Sequence, residues 1–360
     1  MLWIIFFISV LVAFSTTRLS IVLSLRRGVL DLPNPRSSHF TPVPRLGGLG
    51  ILAGVVLSSA TLLAVRIPTS PGNPTLAHDI LPVLLVGVGM GLTGLYDDLC
   101  GIAPGTKLVG QLILAGTVVA LGVRIESLSL LGWGPISVGI LAVPATILWL
   151  TCFANIFNFM DGINGMAAVT AVAYSSFFFV FASWQGSPNL AAVALVVIGS
   201  CLGFLPYNLP RARTFMGDTG SLFLGILLAS LVVRIAQKSA NPACMIGLLL
   251  VCSPYLWDTG FTLLRRLRRR ENIFQAHRGH LYQRLAQLGL SHGSITSVYL
   301  FLHLLMGSLG LAYVRSANLL RAEILSFAAL TLVGFTAGVY GLERRALRAK
   351  QEASRMTPRD

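Results

Sequence analysis

The chain has 360 residues, of which 54% are hydrophobic and only 11% charged, and its mean hydropathy is +0.76. Soluble domains carry about 25% charged residues, so this balance excludes a water-soluble globular enzyme and implies an integral membrane protein. The net charge of +14 does not call for nucleic acid, because the basic residues sit in short loops whose bias sets membrane orientation.

At roughly 20 residues per crossing, eleven candidate spans follow in chain order: 2–25, 46–65, 80–96, 107–123, 136–153, 165–183, 189–206, 220–236, 243–264, 294–313 and 319–342. The expected fold class is an all-α integral membrane protein, a polytopic bundle of about 11 transmembrane helices. The first span has neither a basic leader nor a small-residue cleavage site, so it reads as a retained helix. The connections leave no room for a soluble domain. Residues 1–342 therefore form one polytopic unit, and 343–360 a basic, polar, frayed tail.

One set of loops (24–45, 96–106, 154–164, 207–219, 265–293 and the tail), together with Lys107 at the edge of the second, holds 20 Lys and Arg residues, against 6 in the opposite set. The N-terminus is then expected outside and the C-terminus in the cytosol. Arg18 is left within the first span, where its long side chain can snorkel. The cluster Arg265, Arg266, Arg268, Arg269 and Arg270 reads as an orientation anchor on anionic membrane lipids. Cys100, Cys152, Cys201, Cys244 and Cys252 have no CxxC spacing and read as packing thiols.

The chemistry-bearing residues crowd the basic loops. Asp97 and Asp98 end one apolar run, Asp161 follows another, and Asp218 precedes a third. Carboxylates are expensive beside hydrocarbon, so a converging set is a functional-site hypothesis. Hard oxygen ligands of this kind suit Mg²⁺, with Mn²⁺ as a substitute, held jointly with a phosphate substrate. Lys107 opens the next span with Gln111 one turn on, a candidate phosphate contact. The stretch Asn155-x-x-Asn158-x-x-Asp161-Gly-x-Asn164-Gly165 offers amides and a carboxylate every third residue, a surface able to bond a nucleobase or sugar. Phe215-Met-Gly217-Asp218-Thr-Gly-Ser221 enters an apolar span, where free N–H groups make an anion site and Asp218 fits a metal ligand. Phe215 can stack on a base. Asp258, inside the run 243–264, is either functional or paired with Arg265 or Arg266; His292 receives no role.

In that order, Asp31…His39…Arg45-Leu-Gly-Gly, Asp97-Asp98 with Lys107 and Gln111, Asn158-Phe-Met-Asp161-Gly-Ile-Asn164-Gly and Phe215-Met-Gly-Asp218-Thr-Gly-Ser, the chain resembles the polyprenyl-phosphate N-acetylhexosamine-1-phosphate transferase family over roughly residues 25–290. The segment Ala276-His277-Arg278-Gly279-His280-Leu-Tyr-Gln-Arg284 is most similar to the O-antigen-initiating branch. The resemblance implies a bacterial inner-membrane enzyme, active on the cytosolic side. It would move an N-acetylhexosamine 1-phosphate, GlcNAc or a 6-deoxy sugar, from a UDP-sugar to undecaprenyl phosphate, release UMP, and leave room for a homodimer. It also implies that Asp97 and Asp98 handle metal and lipid phosphate, with Asp218 as metal ligand. Asn158, Asp161, Asn164 and Asn208 would then line the nucleotide-sugar pocket with Phe215 and Gly217. His277, Arg278 and His280 would close on the diphosphate, and Asp31, His39 and Arg45 would contact substrate. Some members have Asp where this chain has Asn164, which speaks against a catalytic role there. Two routes stay open, a direct phosphoryl transfer and a two-step route through an acyl-phosphate on Asp98. The rival class is a secondary transporter, whose acids should lie mid-span in inverted repeats. Asp258 alone fits that pattern, and no repeat is visible.

Overall fold

A computed structural model describes residues 2–33, 41–69, 75–129, 134–272 and 277–356. Among them ten helices are long and apolar enough to cross a membrane. They are α1 (Leu2–Arg27), α2 (Gly48–Thr69), α3 (Thr75–Cys100), α5 (Ala142–Phe159), α6 (Met166–Trp184), α7 (Pro188–Asn208), α8 (Gly217–Lys238), α9 (Cys244–Arg268), α11 (His292–Arg315) and α12 (Asn318–Met356). The remaining expected span is α4 (Pro104–Ala120), whose 17 residues reach about 25 Å. Pro104 sits in its first turn, where its missing N–H costs nothing. Leucines, phenylalanines and tryptophans stay exposed along the outer helices, as a hydrocarbon solvent permits.

The centre of the bundle is α8, in which every residue from Thr219 to Ile235 is buried. It packs against α3, α5, α2 and α6. The α3–α8 approach depends on Gly94: a Cβ there would collide with the backbone of Asp218 and Thr219.

The helix ends sort into two groups. At one end, here the site end, the starts of α2, α4, α6, α8 and α11 meet the last turns of α3, α5, α7 and α9. At the far end the start of α3 meets the last turn of α8 through Arg234 and Asp79, and Gln237 of α8 donates to the Gly122 carbonyl just past α4. Short as it is, α4 thus runs from one end of the bundle to the other.

Four features depart from the expected elements. Residues 127–137 carry a two-residue-strand hairpin, β3 (Ser127–Leu128) with β4 (Ile136–Ser137), so α5 starts later and ends later than the apolar run implied. A second hairpin, β1 (Leu30–Asp31) with β2 (Val43–Pro44), precedes α2. The basic loop after α9 contains a seven-residue helix, α10 (Leu281–Gln287). Finally, the expected frayed tail is helical to Met356: α12 has 39 residues, about 58 Å, nearly twice a hydrocarbon core. Its last stretch is rich in Ala, Arg, Lys, Gln and Glu, which favour helix without an apolar face. Arg284 of α10 also docks onto it, forming a bidentate pair with Glu343 and stacking 3.9 Å from the Tyr340 ring centroid. The helix is accordingly continuous across residue 343.

Candidate active site

The acidic residues converge because α3, α4, α5 and α8 all terminate at one place. Asp97 and Asp98 occupy the last turn of α3, Lys107 the first turn of α4, Asn158 the last turn of α5 and Asp218 the first turn of α8. Lys107 Nζ donates to Asp97 Oδ2 at 2.8 Å and to Asp218 Oδ2. Asp97 also accepts the Ile102 N–H at 2.7 Å, which folds the α3–α4 turn back onto it. The Asn158 amide donates to Asp218 Oδ1 at 2.9 Å and to Ser221 Oγ at 2.8 Å. One oxygen from Asp97 and one from Asp218 therefore face a shared cation position, taken by the Lys107 ammonium.

Asp98 points the other way and is 6% exposed. Its Oδ1 accepts the Asp218 N–H at 3.0 Å, and its Oδ2 accepts the Thr219 N–H at 2.9 Å and the Thr219 hydroxyl at 2.7 Å. Arg45 Nε lies 3.7 Å from Oδ1. Asp98 is thus the cap of α8, satisfying first-turn N–H groups that no carbonyl can reach. Gly217, at φ +66°, allows the chain to turn there, and any side chain on it would strike Asp98.

Arg45 arrives by backbone pairing. Phe215 N–H donates to the Pro44 carbonyl at 2.8 Å, and the N–H groups of Gly47 and Gly48 donate to Phe215 and Met216 at 3.0 Å each. Partly exposed Phe215 sits on this ribbon beside the α8 start. Asp31 lies across the hairpin from Val43, while His39 falls outside the described residues.

Asp161 lies in the turn between α5 and α6. Burial, then the charges of Asp218 and Asp98, push its carboxyl well above the ordinary aspartate range. Asn164 is held by its N–H to His292 Nδ1 (3.4 Å), by its amide to the Pro210 carbonyl (3.3 Å) and by its carbonyl to the Thr296 hydroxyl (3.2 Å). His292, given no role from sequence, is thereby a prop of this turn.

Two of the expected site residues have clear partners within the protein. Asn208, expected against substrate, is buried and works as a staple: Oδ1 accepts the Gly165 N–H at 2.6 Å and Nδ2 donates to the Thr214 carbonyl at 2.9 Å. His277, expected as a cationic helper, is pushed down to about 4 by burial, then by His280, Arg266 and Arg265. It is neutral at pH 7, with Nδ1 accepting the Gly279 N–H at 3.1 Å. Half-buried Arg278 lies between it and buried His280, and the two rings stack at 5.1 Å.

Three further residues singled out in the sequence act as supports. Gln111 and Asn155 exchange amide bonds at 2.6 and 3.4 Å, joining α4 to α5. Asp258 does not pair with Arg265 or Arg266: Arg265 donates to the Gly279 carbonyl at 2.7 Å, and Arg266 pairs with Glu271 at 3.1 Å. Part of the basic anchor therefore shapes the loop rather than facing lipid.

The residues also bear on the expected cation. Among the described residues no three His, Cys, Asp or Glu side chains group as a metal cage. Two converging carboxylate oxygens at an anion-binding helix start suit Mg²⁺, which takes one or two carboxylates and completes its shell with waters and substrate phosphates. The donor set fits a shared ion.

Comparison with known proteins gives the family of the chain. The model described as "Glycosyl transferase family 4" matches residues 80–236, from α3 to α8. A Bacillus subtilis (strain 168) protein named as a probable undecaprenyl-phosphate N-acetylglucosaminyl 1-phosphate transferase is 30% identical over 346 residues, 94% of this chain and 91% of its own. The chain belongs to the polyprenyl-phosphate N-acetylhexosamine-1-phosphate transferase family. Within that family, the decaprenyl-phosphate N-acetylglucosaminephosphotransferase of Mycobacterium tuberculosis (strain H37Rv) is 31% identical over 300 residues, 77% of this chain and 74% of its own. A phospho-N-acetylmuramoyl-pentapeptide-transferase of Enterococcus faecalis is 34% identical over 224 residues, 59% of this chain. The family match takes in every residue at the shared cation position. Arg45 and the His277–His280 segment fall outside it but within the transferase-length similarity.

Proposed function

We propose that this family member transfers an N-acetylhexosamine 1-phosphate, GlcNAc by the names of its nearer relatives, from a UDP-sugar to undecaprenyl phosphate. UMP leaves, and the product is the first lipid-linked intermediate of a bacterial cell-surface polysaccharide, with O-antigen the branch favoured by the His277–Arg284 segment. The observation that carries this reading is the meeting of Asp97 and Asp218 on one cation position at the N-terminus of α8. That end of the bundle belongs to the loops holding 20 basic residues against 6, which supports a cytosolic site, an outside N-terminus and eleven crossings including α4.

In the reaction, a lipid-phosphate oxygen forms a bond to the β-phosphorus of the UDP-sugar while the bond to the α–β bridging oxygen breaks. Such transfers depend on position and charge rather than on covalent help. Mg²⁺, held by Asp97 and Asp218 with the diphosphate, would supply charge neutralisation. Lys107 and Arg45 are the cations paired with these acids among the described residues, and Arg278 is a further candidate helper. A second phosphate pKa near 6 leaves much of the lipid phosphate dianionic at pH 7, so no strong base is required. The direct route is favoured over an Asp98 acyl-phosphate, since both Asp98 oxygens are engaged by α8 and Arg45. Purified protein, Mg²⁺, undecaprenyl phosphate and a panel of UDP-N-acetylhexosamines test this: UMP release with at least one sugar is expected. No release with any of them would refute it.

A further inference from the structure

We propose that Asp258 is a positioning residue for the transfer: one buried carboxylate that sets where α10 begins and, through it, where the histidine segment and the Asp161 turn sit. The activity arm of its test rests on the transferase reading above. Asp258 is completely buried, ten residues before α9 ends. A carboxylate in that setting persists only if its oxygens are fully bonded. No Lys or Arg bonds it among the described residues. Its partners are the N–H groups of Leu281 (2.9 Å) and Tyr282 (3.3 Å), His280 Nδ1 (3.2 Å), the Thr262 hydroxyl (3.4 Å) and the Tyr299 hydroxyl. The two N–H groups belong to the first turn of α10 and have no intrahelical acceptor.

The consequences run outward toward the reacting groups. His280 bonds Asp258 through Nδ1, so Nε2 is the nitrogen left for other work. Arg265 fixes the Gly279 carbonyl just ahead. From the first turn of α10, Tyr282 donates to the Phe159 carbonyl at 2.9 Å, two residues before Asp161, and its hydroxyl packs against Gly162. A shift of α10 would therefore move His277, Arg278 and His280 on one side and the Asp161 turn on the other. The same saturation removes the one sequence feature that fitted a transporter, since Asp258 has no face toward a passage.

The test uses the full-length protein in detergent with two near-isosteric variants, Asp258→Asn and Tyr299→Phe, and reads UMP release and amide hydrogen exchange. Misplacement of about 1 Å costs on the order of 10- to 100-fold. The Asp258→Asn kcat per folded molecule is expected to fall by that factor, with KM for the UDP-sugar within about threefold. Exchange at Leu281 and Tyr282 should quicken in both variants. In a cycle with His280→Gln, the double variant should lose less than the product of the single losses, because both act through one segment. Unchanged exchange at Leu281 and Tyr282, or kcat per folded molecule within about threefold of the parent, overturns the proposal. Should Asp258→Asn not fold, Tyr299→Phe decides by the same two criteria. Absence of turnover in the parent would count against the transferase reading, and the exchange measurement would then decide the anchoring alone.

Discussion

The two ends of the α3–α8 pair carry opposite kinds of charge cluster. At the far end Asp79 is held by two cations of α8, Arg234 at 3.0 Å and Lys238 at 2.9 Å; Asp79 and Arg234 are buried, and Lys238 is half-buried. At the site end Asp97, Asp98 and Asp218 share one ammonium and one guanidinium, with Asp161 close enough for their charge to act on it. Position on the same two helices is thus no guide to role. What separates a clamp from a reactive centre is whether every acid is compensated within the protein. At the far end two cations hold one acid, whereas at the site end three acids share two cations until a further cation arrives.

The sharpest break between the ends comes from Asp218→Asn. Turnover should fall by more than about 10³-fold, equivalent to about 4 kcal/mol of barrier. The melting temperature in detergent should hold or rise, because one of several uncompensated carboxylates is removed. Turnover near that of the parent would remove Asp218 from the shared cation position. Lys107→Gln is the next step down. Loss of a preorganised cation should lower kcat by roughly 10²-fold. With the competing ammonium gone, the Mg²⁺ concentration for half-maximal rate should drop. A rise instead would mean that Lys107 assembles the metal site rather than standing in it.

The far end should respond in the inverse way. Asp79→Asn leaves buried Arg234 without its carboxylate, while half-buried Lys238 can still reach water, and the loss destabilises by about 3 kcal/mol. The melting temperature should fall, with kcat per folded molecule unchanged. A variant that kept its melting temperature and lost kcat would erase the distinction between the two clusters.

How much of this was legible beforehand depended on range. Asp97, Asp161 and Asp218 stand out because acids beside apolar runs are rare, and Lys107 with Gln111 follows from helical period alone. Asp97 and Asp98 were expected to share metal and lipid-phosphate handling; the capping role of Asp98 was not visible because its partners are 120 and 121 residues away, and adjacency gives no hint of which N–H groups a side chain will reach. The bonding of Asn208 was hidden for the same reason, its partners being a glycine 43 residues back and a carbonyl six ahead. The α12 extension was locally encoded, yet its apolar pattern stops near Leu342 and hides the helix-forming composition beyond. A seven-residue helix such as α10 is too short for periodicity to mark, so Asp258 had no visible acceptor role.

The gentlest probe uses pH and asks whether the charge deficit at the site end exists in the ion-free protein. The Asp161 carboxyl is raised by burial and by Asp218 and Asp98, so the folded state holds its proton more tightly than the unfolded chain does. For a raised carboxyl, folding is favoured below the unfolded value of about 3.9, and that advantage is lost as pH climbs toward the folded value. Asp161→Asn removes the dependence. The variant and parent should melt together near pH 4, and the variant should gain a few degrees by pH 7, followed by tryptophan fluorescence without Mg²⁺. Mg²⁺ should shrink the gap by supplying the missing positive charge. At the far end, where Asp79 is already paired, Mg²⁺ should leave the melting deficit of Asp79→Asn unaltered. A gap that stayed flat from pH 4 to 7 would mean Asp161 is as well compensated as Asp79, and the contrast between the ends would then rest on Asp97 and Asp218 alone.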